Sequence, residues 1–101
     1  MELDQKEWAD QLAQTADAII LDVRTPEEYA AGHIPQAQLL NIREPQNFMD
    51  GLGALAPDKP YYVYCRSGMR SAQACQVMLS QGFNKTFNLL GGILEWEGPT
   101  E

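Results

Sequence analysis

The chain has 101 residues, 45% of them hydrophobic, and a formal net charge of −7. That length holds one modest core and leaves no room for a separate cofactor-binding domain. Acidity of this size repels nucleic acid and anionic membranes, so neither is expected as a partner; its plainest role is to keep the domain in solution. No stretch reaches the roughly 20 apolar residues of a membrane span. The polar start, Met1 to Glu7, is not that of a signal peptide, so the cytoplasm is the default location, for a whole protein or a domain cut from a longer one. Two cysteines and a single histidine make no zinc pattern.

In chain order, Asp4 and Glu7 resemble a capping box, and Trp8 and Leu12 share one face of the helix that follows. Residues 18–23 (Ala-Ile-Ile-Leu-Asp-Val) read as a buried strand. Thr25-Pro26-Glu27-Glu28 supplies a cap, a proline at the first helical position and a capping-box glutamate, and Gly32 closes that short helix. Residues 38–42 read as a second strand. Phe48, Met49, Leu52 and Leu55 have helical spacing, weakened by Gly51 and Gly53. Residues 57–60 form a turn, and Tyr61 to Tyr64 a third strand. Arg70 to Gln81 is the clearest helix, with Ala72, Cys75, Val77, Met78 and Leu79 as its apolar side and Gly82 as its stop. Residues 86–90 read as a fourth strand, Gly91-Gly92 as a turn, Ile93 to Trp96 as the start of a short helix, and 97–101 as a frayed tail.

Apolar strands separated by helices imply an α/β domain with a central parallel sheet covered on both faces. Ligands in such sheets bind at the carboxyl ends of the strands. Cys65 stands at one such end, and Asp22 and Arg24 at another, so the two sites are expected to face one crevice.

Cys65 is the focus of the chemistry. It opens the segment Cys65-Arg66-Ser67-Gly68-Met69-Arg70, between a strand and a helix. Loop N–H groups and the positive end of the helix both favour a thiolate there, and the thiolate is the nucleophile. Arg70 either binds an anion or braces the loop against a carboxylate. Arg66 points to solvent or to an anionic substrate, and Gly68 admits a positive φ. Glu28 fits the helix cap and is also a candidate partner for Arg70. Asp22 is read as a structural carboxylate and His33 as a hydrogen-bonding residue of an ordered turn. Cys75 is read as core, with a resolving thiol as the alternative. A disulfide between Cys65 and Cys75 is not expected.

Taken together, these segments resemble the rhodanese family. Residues 21–29 with Gly32-His33-Ile34-Pro35 look like its first motif, Cys65 to Ser71 like its active-site loop, and Gly91-Gly92-Ile93-Leu94-Glu95-Trp96 like its terminal motif. The resemblance implies a three-layer fold over residues 1–101 and sulfur transfer through a persulfide on Cys65. Arg66, Ser67, Gly68, Met69 and Arg70 would contact substrate, and Asp22, Arg24 and Glu28 would support them. It implies a small anionic sulfur donor such as thiosulfate, a thiophilic acceptor (a small molecule or a protein thiol), and no metal or organic cofactor. Two other functions share the fold: a non-catalytic binding module and a cysteine phosphatase. The related phosphatases have one residue more between cysteine and arginine than the loop seen here.

Overall fold

The computed structural model describes all of residues 1–101. Five strands form one parallel sheet: β1 (Glu2–Leu3), β2 (Ile19–Asp22), β3 (Gln38–Leu39), β4 (Tyr61–Tyr64) and β5 (Thr86–Leu89), in the order β1-β5-β4-β2-β3. The helices are α1 (Gln5–Gln14), α2 (Pro26–Ala31), α3 (Pro45–Gly53) and α4 (Met69–Ser80), with a 3-10 turn at Ile93–Glu95. No helix is long and apolar enough to cross a membrane.

Strand alternation divides the core into two halves. Leu21, Val23, Tyr61, Val63 and Cys65 point to one face, where Phe48 and Leu52 of α3 and Ala74, Cys75 and Met78 of α4 cover them. Ile20, Tyr62, Tyr64 and Leu89 point to the other, under Trp8 of α1, with Tyr29 and Trp96 at its edge. Trp8 is fully buried, and its ring N–H donates to the Phe87 carbonyl at 3.2 Å. The central strand β4 is buried on both faces, as its unbroken run of large apolar residues requires.

Several elements differ from the sequence reading. The two-residue β1 is too short to carry any periodicity; it is held by its pairing with β5. The strand read at 38–42 keeps regular pairing only at Gln38–Leu39, although Leu40 and Ile42 still donate to the carbonyls of Asp22 and Val23. The segment 45–53 is a helix despite its glycines. A methyl at Gly51 would meet the tip of the Leu40 side chain, just beyond β3. In α4 the buried residues are Ser71, Ala74, Cys75 and Met78, whereas Leu79 is exposed. The buried stripe runs Ser71-Ala74-Cys75-Met78, at helical spacing, and carries Ser71 inward to polar partners. Residues 97–101, expected to fray, lie outside regular structure, yet Glu101 and His33 exchange two backbone hydrogen bonds, at 2.7 and 3.1 Å.

Candidate active site at Cys65

The site begins where β4 ends. Cys65 is the next residue, is 1% exposed, and has its sulfur turned toward the α4 face. The chain then reverses through Arg66 and Ser67 to Gly68, which sits in the left-handed region at φ 103° and starts α4. That conformation is costly for a residue with a Cβ. It aims the Gly68 N–H at the Cys65 sulfur, at 3.1 Å. One turn into α4, the Ser71 hydroxyl reaches the same sulfur at 3.3 Å.

Burial pushes the Cys65 thiol up. The Ser71 hydroxyl and the N–H groups of Ser71, Gly68 and Ser67 oppose it and prevail, so the net shift is downward. Cys75 is also buried but lacks those donors. It is pushed up to about 11, mainly by desolvation. The fold thus favours the thiolate at Cys65 and disfavours it at Cys75.

The loop is braced from two sides. On one side Arg70 grips Glu28 fork to fork, Nη1 to Oε1 at 2.8 Å and Nη2 to Oε2 at 2.9 Å. Glu28 also closes the capping box of α2 with Thr25. The Arg70 guanidinium, against burial and with help from Thr25, holds the Glu28 carboxyl down at about 2. Both roles considered for Glu28 are therefore filled at once, and the Arg70 fork is engaged by a carboxylate. On the other side the turn at Gly91-Gly92 lies against the loop. Ile93 N–H donates to the Cys65 carbonyl at 2.9 Å and Leu94 N–H to the Arg66 carbonyl at 3.0 Å. A side chain at Gly92 would fall on the Arg66 carbonyl.

Asp22 and Arg24 do not share the crevice of Cys65. Asp22 points to the opposite face of the sheet, where it accepts from Tyr64 Oη at 2.6 Å and from Arg24 Nη2 at 2.6 Å. Arg24 also donates to the Gly32 carbonyl at 2.7 Å, and Tyr64 Oη accepts from Ile34 N–H at 3.0 Å. This buried cluster ties the end of β2 to the 32–34 turn and leaves neither charge open to a ligand. The reason is the two-residue period of the strand: Asp22 follows Ile20, not Leu21. His33 donates from Nδ1–H to the Tyr29 carbonyl at 3.0 Å and stacks on the Tyr29 ring.

Arg66, Ser67 and Met69 are exposed around the loop mouth, Met69 at 77%. Cys65 lines none of the three surface clefts. Two residues of the site were not singled out from the sequence. Ser71 lay inside the loop motif without a role. Asn88 was hidden in strand β5, although a strand-poor amide at a buried strand position is a legible anomaly.

Comparison with known proteins agrees with this geometry. The model of the rhodanese-like domain matches residues 5–99. A sulfurtransferase of Allochromatium vinosum is 38% identical over 100 residues, covering 94% of this chain and 86% of its own. The thiosulfate sulfurtransferase GlpE of Pseudoalteromonas translucida is 33% identical over 87 residues, covering 86% of this chain and 80% of its own. Among solved structures, a rhodanese-like domain protein from Staphylococcus aureus superposes with a TM-score of 0.82 at 30% identity, covering 99% of this chain and 95% of its own. With its fold, its cysteine loop and its relatives in agreement, the chain belongs to the rhodanese-like domain family.

Proposed function

We propose that this chain is a sulfurtransferase that carries a sulfane sulfur on Cys65, with thiosulfate as one competent donor. The single observation behind this reading is the Cys65 sulfur held under the Gly68 N–H and the Ser71 hydroxyl, at 3.1 and 3.3 Å. Donors placed this way stabilise a thiolate before reaction. They also suit the anionic persulfide after it, whose outer sulfur lies about 2 Å further out.

The Cys65 thiolate attacks the outer sulfur of thiosulfate. A new S–S bond forms, the sulfur–sulfur bond of the donor breaks, and sulfite leaves with the electron pair. A thiophile such as cyanide then attacks the outer sulfur, thiocyanate departs, and the Cys65 thiolate returns. No net redox change and no proton transfer are needed. Sulfite and thiosulfate are anions, and Arg66, exposed at the loop mouth, is placed to attract them over a globally acidic surface. Arg70, paired with Glu28, acts by holding the loop.

The names of relatives support the same class, including a putative sulfur carrier protein of Bacillus subtilis, 38% identical over 82 residues. Mass spectrometry of the intact protein is the test. Thiosulfate should add about 32 Da, one sulfur atom, and cyanide should remove it. Cys65→Ser should abolish the adduct and Cys75→Ser should retain it. An adduct on Cys75, or none at all, would refute the assignment.

A further inference from the structure

The Ser71 hydroxyl has one proton and two acceptors. Its Oγ lies 3.3 Å from Cys65 Sγ and also in short hydrogen-bond contact with Asn88 Oδ1. Ser71 and Asn88 are 0% and 2% exposed, so water does not offer a substitute partner.

The orientation of the Asn88 amide follows from its neighbours. Its other end contacts Glu2 Oε2 and the Gly68 carbonyl, the latter at 3.1 Å. Both are acceptors, so the NH₂ group must face them, and both its hydrogens are engaged. Asn88 Oδ1 therefore faces Ser71 and can only accept.

Two proton arrangements remain. With a neutral thiol, the Cys65 S–H donates to Ser71 Oγ, and Ser71 O–H donates to Asn88 Oδ1. Every group in the chain is then paired. With a thiolate, the sulfur is an acceptor and the Ser71 proton turns toward it. Asn88 Oδ1 then loses its donor while buried.

We propose that Asn88 is a positioning residue that competes with the Cys65 sulfur for the Ser71 proton, so that Ser71 donates to sulfur only when the sulfur is anionic. The competition offsets part of the donors' pull toward the thiolate and switches the Ser71 hydroxyl onto the sulfur when charge develops. This rests on Cys65 being the reacting group of the sulfurtransferase reading.

The other charges near this chain are few. Arg70 of α4 is close enough to Cys65 to feel its charge but is paired with Glu28 of α2, with Arg24 beyond it at the end of β2. Cys75 of α4 shares the same core cluster. On the β1 side stand Glu2 and the Met1 ammonium, which donates to the Thr86 carbonyl at 2.9 Å. Arg66 is exposed in the loop.

The test is a pH titration of the whole protein labelled with ¹³C-asparagine, read at Asn88 Cγ, beside the pH profile of Cys65 alkylation. Asn88 Cγ should shift with the same midpoint as alkylation, should still follow the alkylation midpoint in Glu2→Gln, and should not shift in Cys65→Ser. A stationary Asn88 Cγ in the wild-type protein would overturn the proposal. Variants provide the second arm. Asn88→Ala should lower the alkylation midpoint by about half to one pH unit, the worth of one hydrogen bond. In a Ser71→Ala background it should change nothing. If Asn88 only braced the loop, its loss would raise the midpoint, and would do so without Ser71 as well. Thiosulfate labelling of Cys65 with a stationary Asn88 Cγ defeats this inference alone; a titrating Asn88 Cγ without labelling defeats the sulfurtransferase reading alone.

Discussion

Glu28 and Arg70, 42 positions apart in the chain, meet in two parallel hydrogen bonds of 2.8 and 2.9 Å that join the start of α2 to the start of α4. Neither end is free to drift. Glu28 is locked into the α2 cap by Thr25, and Arg70 lies five residues beyond Cys65. The position of the loop is thus set from outside it, by the start of α2.

Breaking this pair should cost stability and turnover together. Arg70→Ala should lower stability by about 2 kcal/mol, the worth of a charge-assisted bond to a partly buried partner. The pair also carries a pH dependence of known sign. The Glu28 carboxyl is lowered from 4.5 to about 2 on folding, so its contribution is complete above about 4.5 and fades as pH falls toward 2. Urea unfolding between pH 6 and 2 should show this loss, and Glu28→Gln should flatten that part of the profile. An unchanged slope would assign the acid sensitivity to other carboxylates.

The two cysteines should separate by reactivity. Cys65 is lowered by its hydrogen-bond donors and Cys75 is raised to about 11 by burial. Iodoacetamide at pH 7.5 should therefore modify Cys65 first, with a midpoint below the free-thiol value of about 8.5. Peptide mapping after partial reaction decides the order, and earlier labelling of Cys75 would contradict it.

Gly92 should tolerate no side chain. It sits at φ 62°, and a methyl there would lie on the Arg66 carbonyl and 2.6 Å from Ser67 N. Gly92→Ala should displace the cysteine loop, cost about 3 kcal/mol and reduce sulfur transfer. Gly53 supplies the control, since nothing lies within 4 Å of a methyl at that position. Gly53→Ala should be neutral or stabilise by up to about 1 kcal/mol. Thermal melts of both variants, with activity alongside, separate loop displacement from a general glycine effect.

Aryl phosphate hydrolysis should be negligible beside thiosulfate–cyanide turnover. Phosphate needs several N–H donors around its oxygens, each held where charge develops. Here the loop from Cys65 to Arg70 is short, and the Arg70 fork is turned to Glu28. No acid stands over the sulfur for a leaving alcohol: His33 is stacked on Tyr29 and bonded to its carbonyl. Efficient Cys65-dependent phosphate release on the same preparation would reverse this ranking.

The alternation of apolar strands with capped helices determined the α/β architecture, because period and capping are local properties of the chain. The placement of Cys65 between β4 and α4 was legible for the same reason. The loop motif and the terminal Gly91-Gly92 motif were legible separately, but their contact through the Cys65 and Arg66 carbonyls was not. Tertiary structure alone decided three further points. It chose bracing for the Arg70 fork, since the choice depends on where Glu28 lies in space. It put Asp22 and Arg24 across the sheet from the cysteine, since a strand shows its two faces alternately and only the packing says which face is which. It turned Ser71 inward on the Ala74-Cys75-Met78 side of α4 and gave its buried hydroxyl a partner in Asn88, 17 residues away, which no local pattern announces.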